Sequence, residues 1–227
     1  MNNATQTRRR MMAVALPITA ALYIGAEGLD PRGTDKLVTT TAVAYKVLPI
    51  AAKHSTQLFV SGSLSELALG GVAVSYAAIA MLVRKRGSTA ATIAAVIGVI
   101  GAFCGAVVNV FVGINLAAAA TAHVTQDAAA RVLIANFNSG PGQAFTDVYA
   151  FEEFFAPVIM GIALWRSHTV PRWLAVLFAA GFELAQQTAS VGIVKVVLLI
   201  APFAVAMVLL SIRLWHATEP SLPGVDE

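Results

Sequence analysis

From Ala90 to Ala118 the chain runs without one charged residue, AATIAAVIGVIGAFCGAVVNVFVGINLAA. A stretch of roughly 20 apolar residues is what a helix needs to cross the hydrocarbon core of a bilayer. A helix satisfies its own backbone polar groups there, so the run is compatible with lipid or with other apolar helices around it. Further runs of the same kind extend over about Met11 to Ala26, Gln57 to Val83, Phe145 to Trp165, Trp173 to Ser190 and Ile193 to Trp215. Composition agrees: 58% of the 227 residues are hydrophobic and 12% are charged, with a mean hydropathy of +0.76. The expected fold class is all-α, a polytopic membrane bundle of six transmembrane helices with amphipathic surface helices on the outer side. It forms a single domain over residues 1–216, followed by a disordered cytoplasmic tail, ATEPSLPGVDE, over 217–227.

The net charge of +3 does not point to nucleic acid, because the basic residues stand in short clusters at the ends of apolar runs. Topology explains them. Arg8, Arg9 and Arg10 open the chain like the start of a signal peptide, but the apolar run continues to Gly25 with no small-residue cleavage site before Glu27. It reads as an uncleaved first span. The 15 Lys and Arg then divide nine to six. Arg8, Arg9, Arg10, Arg84, Lys85, Arg86, Arg166, Arg172 and Arg213 fall on one side, and Arg32, Lys36, Lys46, Lys53, Arg131 and Lys195 on the other. The excess places both termini in the cytoplasm. Two segments are too polar to span. Pro31 to Thr56 is expected to lie along the outer surface as one or two short helices broken at Pro49, and Thr121 to Gln143 as a surface helix, DAAARVLIANF, followed by a turn at Gly140, Pro141 and Gly142.

Polar residues inside the spans carry the functional signal, since an ionisable group at membrane depth costs roughly 2.5 to 3.5 kcal/mol on insertion scales. Glu66, Asn109, Glu152, Glu153, Glu183 and Gln187 all fall in the halves nearer the outside, whereas the inner halves hold little beyond Ser75, Tyr76, Thr92 and Ser211. Small residues every four positions, Gly62 and Gly70 around Glu66 and Gly101, Gly105 and Gly113 around Asn109, mark faces that a second helix approaches closely. Glu152 and Glu153 diverge by about 100° on a helix, so only one of them faces the bundle centre fully.

The functional expectation is an outward-facing acidic pocket with Glu153, Glu66, Glu152 and Glu183 as its acids. Asn109, Tyr149, Phe151, Phe155, Phe182 and Gln187 line it for an apolar or amphipathic small molecule or a membrane lipid. Carboxylates sharing a poorly hydrated space cannot all stay ionised, so one is expected to hold a proton at neutral pH, the requirement for a general acid. Such a pocket suits acid-initiated isomerisation or cyclisation of an isoprenoid-like lipid, with aromatic faces to stabilise a cationic intermediate. Other readings stay open. Buried Glu and Asn also hydrogen-bond helices to one another, and Phe151, Phe154 and Phe155 equally suit a lipid-facing position. A proton-coupled small-molecule transporter needs intramembrane carboxylates too, and an accessory subunit, a homo-oligomer or a membrane-protein partner leaves no signature to set against it. No cofactor and no metal are expected. His54, His123, His168 and His216 fall in surface segments without metal-binding spacing, and Cys104 is a lone thiol in an apolar run.

No G-x-S-x-G, Walker-type or G-x-G-x-x-G sequence occurs. The glutamate pair of FEEFFAP is shared with intramembrane CAAX-type proteases, but position 156, where they carry arginine, is Ala156, and no later span holds a histidine. That family is excluded. The order of a first span, a surface helix, QLFVSGSLSELALGGVAVSYAAIAMLVRK and the later spans resembles small bacterial membrane proteins of the domain-of-unknown-function 4386 type. The resemblance covers most of the chain, implies a six-helix fold in the bacterial cytoplasmic membrane and implies no activity. Integral-membrane terpene cyclases are similar in general character, as small bundles with intramembrane acids. Their tryptophan-rich pattern is not evident here, and the last span has no Asp.

Overall fold

The structure, a computed structural model, describes residues 3–32, 37–83, 86–122, 124–186 and 193–217. Lys36, Arg84, Lys85, His123, Gln187, the side chain of Lys195 and the tail from 218 lie outside the described residues. Among the described residues every regular element is a helix: α1 Asn3–Leu29, α2 Thr41–Lys53, α3 Ser55–Ala80, α4 Ser88–Thr121, α5 Gln126–Asn138, α6 Gly140–Ser167, α7 Arg172–Gln186 and α8 Ile193–His216. Five of these, α1, α3, α4, α6 and α8, are long and apolar enough to cross a membrane. The described part of α7 has 15 residues.

The six helices other than α2 and α5 form a closed ring. α1 packs on α3, α3 on α4, α4 on α6, α6 on α7 and α7 on α8, which returns to α1. The interior is filled by Leu16, Tyr76, Ile79, Met160, Phe178 and Phe203, all fully buried. The outside is no less apolar, with Ile18, Leu67, Ile100, Phe103, Phe154 and Leu198 exposed. A water-soluble chain rarely leaves so much apolar surface open, whereas a bundle in lipid gains from it. Small residues let the backbones approach: Gly62 of α3 against Gly113 of α4, Gly71 of α3 against Thr19 of α1, and Gly181 of α7 against Pro202 and Phe203 of α8. Gly70, expected to share the close approach with Gly62, has nothing within 4 Å. The α3–α4 turn depends on Gly87, whose φ of 91° lies in the left-handed region and whose Cα sits against the Ala163 carbonyl.

A second core caps one end of the ring. α2 and α5 bury Val47, Leu48, Ala130, Leu133 and Phe137 against Leu58 of α3 and Val108, Val112 and Leu116 of α4. Across the cap, Tyr45 donates to Asp127 Oδ1 at 3.2 Å, and this bond holds the Tyr45 hydroxyl above its ordinary pKa range. The expected break at Pro49 is absent, and α2 continues through it to Lys53. Proline leaves the carbonyl four residues back without its helical donor, and here the Tyr45 carbonyl accepts the Gln126 side-chain amide at 3.4 Å. The expected turn at Gly140, Pro141 and Gly142 is instead the first turn of α6. Ser139 caps it by accepting from the Gly142 N–H at 3.2 Å, and proline suits a first helical turn.

α4 is not uniform. Residues Val110–Ile114 form one π-helical segment, and the side chain of Arg32, from the chain just after α1, donates to the Val112 carbonyl at 2.6 Å. Arg32 is itself held by Asp30, with Nη2 to Oδ2 at 2.6 Å and Nε to Oδ1 at 2.9 Å. Both side chains are about as buried as the core, at 5% and 4% exposure.

Candidate functional site

The glutamate pair sits near the middle of α6, Glu152 being about 18 Å from Gly140 at 1.5 Å of rise per residue. α6 and α4 cross so closely that α4 presents a trough of glycines. The Tyr76 ring of α3 lies against Gly98, the stem of Glu152 against Gly101 and the Tyr149 ring against Gly105. Glu152 is therefore the member of the pair that faces the bundle centre, at 1% exposure, and Glu153, turned sideways, is half-buried.

Several groups from other helices converge on the pair. The Tyr76 hydroxyl is turned toward the Glu152 carboxyl, with Glu183 of α7 and Glu153 within electrostatic reach. The Tyr149 hydroxyl is turned toward Glu153. Tyr23 of α1, which feels both Glu152 and Glu153, donates to Gln186 Oε1 at 2.7 Å. Beside the cluster stand aromatic rings in tilted or edge contact. Tyr76 and Phe182 are 5.9 Å apart between centroids, Phe182 and Phe203 5.3 Å, and Tyr23 and Phe203 6.1 Å. Among the described residues no lysine or arginine acts on Glu152 or the three tyrosines. Tyr76 Oη, Glu152 Oε1 and Glu183 Oε1 are enclosed and, among the described residues, make no hydrogen bond of good geometry, although the Tyr76 hydroxyl and the Glu152 carboxyl act on each other. Beside them, among Val72, Ser75, Tyr76, Phe178, Phe182 and Phe203, lies a void of about 10 Å³, room for about one water molecule.

Of the residues expected to form the site, Glu152, Glu153, Glu183, Tyr149 and Phe182 come together here. Glu66 is not among the groups acting on the cluster's tyrosines or on Glu152; it is half-buried on α3, its own Oε1 enclosed and without a hydrogen-bond partner among the described residues. Asn109 is half-buried at the start of the π-helical segment. Phe151 and Phe155 are half exposed on the outside of α6, stacked on each other at 4.4 Å. Gln187 lies outside the described residues, and its neighbour Gln186 reaches the cluster. Three members, Tyr23, Tyr76 and Gln186, were not in the expected set. Tyr76 carried a readable signal, since it stands two heptads after Gly62, on the face of α3 that meets α4.

Among the described residues no three His, Cys, Asp or Glu side chains are grouped to hold a metal ion. Chemically the cluster offers acceptor oxygens and aromatic faces, an arrangement that receives protons, hydrogen-bond donors or positive charge. Comparison of the chain with family models, with curated proteins and with solved structures finds no match in any of the three.

Proposed function

We propose that this chain is a six-span protein of the bacterial cytoplasmic membrane, with both termini in the cytoplasm. Its carboxyl and tyrosine cluster binds the cationic or hydrogen-bond-donating head of a small amphipathic molecule in exchange for a proton. The observation that carries the reading is the enclosure of the Tyr76, Glu152 and Glu183 oxygens with, among the described residues, no basic side chain acting on Glu152 or Tyr76. A charge left so in a low-dielectric interior is expensive, so the carboxyls carry protons until a ligand's positive charge replaces them. The rings of Tyr76, Phe182 and Phe203 complete the site with faces that attract a cation.

The same groups support an enzymatic form of the proposal, acid-initiated isomerisation or cyclisation of an isoprenoid-like lipid, with Glu152 as the acid. The void of about 10 Å³ beside the aromatic rings has room for about one water molecule, so a head group or a folded polyprenyl chain alike enters only where the rings move apart. Titration of the purified protein in weakly buffered nanodiscs with dodecyltrimethylammonium tests the first form. Saturable binding with release of a proton is expected, abolished by Glu152→Gln and weakened at least tenfold by Glu183→Gln. Binding that neither substitution changes removes the cluster from the ligand site. In parallel, mass spectrometry of products after incubation with a polyprenyl diphosphate or alcohol decides the enzymatic form: turnover lost in Glu152→Gln supports it, and unchanged substrate eliminates it.

A further inference from the structure

The end of the bundle where α6 passes into α7 carries a groove that the cluster does not use. It lies between these two helices, has a volume of about 420 Å³ and is lined by Val158, Gly161, Ile162, Trp165, Ala179 and Ala180. That size falls within the range of ligand clefts, about 300 to 1,000 Å³. The floor is low where Gly161 meets Ala179, while Val158, Ile162 and Trp165 stand exposed along the α6 side. At the mouth the Arg172 guanidinium lies 5.2 Å from the centroid of the Trp165 ring, and Arg166 is exposed next to it in sequence. Neither arginine forms an ion pair with a described residue. A guanidinium stacked on an indole face keeps its edge N–H groups free for an anion.

We propose that this groove binds an anionic phospholipid, one acyl chain lying along Gly161 and Ala179 and the phosphate held between Arg166 and Arg172. Charge complementarity selects this occupant. An apolar channel open to lipid, with two arginines at its end that pair with no described acid, matches a chain that ends in a phosphate, and basic pockets between spanning helices are where anionic headgroups bind. A second copy fits worse. Two parallel copies related by a two-fold axis bring the same patch face to face, which sets arginines against arginines. The exposed acids Asp127 and Asp147 stand toward the opposite end, beside the cap.

Native mass spectrometry of the full chain released from micelles that contain phosphatidylglycerol and phosphatidylcholine of matched chains tests the site. The phosphatidylglycerol adduct is expected to survive preferentially. Arg166→Gln and Arg172→Gln each lower its retention about fivefold, the weight of one cation near an anionic lipid. Arg172→Lys keeps most of it, and Arg131→Gln at the far end changes nothing. Ala180→Phe, which fills the groove from its exposed side, lowers retention with both arginines intact. Equal retention of the two lipids, or adducts indifferent to the Gln substitutions, overturns the proposal. So does an adduct that Ala180→Phe leaves untouched, because the arginines then attract lipid without the groove. Displacement of the lipid by millimolar glycerol phosphate overturns it too, as does a lipid-free dimer that covers the groove.

Discussion

Glu152 owes its place to Gly101. A Cβ on residue 101 would run into the Cβ and Cγ of Glu152, so the glutamate stem fills the space that a side chain on α4 would occupy. The interior position of the carboxyl is thus a consequence of backbone approach, and the carboxyl cannot be shifted without moving α6. Gly101→Ala is accordingly expected to destabilise the bundle by about 1 to 3 kcal/mol, the range for overpacking a filled core. Gly70→Ala is the matched control: nothing lies within 4 Å of a Cβ there, and replacing glycine within a helix gains up to about 1 kcal/mol in propensity. Thermal unfolding in detergent should therefore move the two variants in opposite directions from wild type. A Gly101→Ala protein that melts with the wild type would mean that α4 and α6 are not in contact at this level. Sequence spacing alone identified the glutamate pair, yet it left open which member turns inward. That choice follows from the rotation of α6, which the trough of Gly98, Gly101 and Gly105 fixes from another helix.

At the scale of the helices, the least foreseeable feature is the π-helical segment of α4. Apolar periodicity reads Ala90 to Ala118 as one continuous helix, and so it is, but the extra residue of a π turn leaves no hydrophobic signature. Its presence is tied to a distant polar residue. Arg32 reaches from the end of α1 to the Val112 carbonyl and is clamped in turn by Asp30. In the sequence Arg32 looks like an ordinary loop charge; in the fold it is nearly buried and joins α1, the cap and α4. Removing one member of a buried ion pair leaves the other uncompensated and costs about 3 to 5 kcal/mol. Arg32→Met is expected to lower the melting temperature accordingly, and adding Asp30→Asn should recover part of the loss by removing the stranded charge. If Arg32→Met alone unfolds at the wild-type temperature, the clamp contributes nothing to holding α1 against α4. The prolines follow the same logic. Pro17, Pro49, Pro157 and Pro202 all lie inside helices that continue through them, and at Pro49 the freed Tyr45 carbonyl takes a new donor from Gln126.

For the whole molecule, helical class and five of the spans were legible because each run of apolar residues is long enough to decide the matter alone. The cluster was legible only in its acids. Tyr76 and Tyr23 look like packing residues until the ring of helices closes and brings them to Glu152 and Glu153 from α3 and α1. The remaining question at this scale is whether α7 crosses the bilayer. Its 15 described residues span about 22 Å at 1.5 Å each, short of a hydrocarbon core of about 30 Å. In the ring it packs between α6 and α8, beside two helices long enough to span. The two alternatives differ in where the chain's end lies. If α7 and α8 both cross, the residue before α7 and the residue ending α8 are on one side of the membrane; if only α8 crosses, they are on opposite sides. Thr169 and His216 are exposed at these two points. With Cys104 replaced by alanine, Thr169→Cys and His216→Cys are each expected to react with an impermeant maleimide in inside-out vesicles, while Thr56→Cys at the cap reacts only in vesicles of the opposite orientation. Labelling of Thr169→Cys and His216→Cys from opposite faces would reduce the count to five spans. It would also put the C-terminus outside and leave the excess of Lys and Arg on the N-terminal side as the only topological signal the sequence retains.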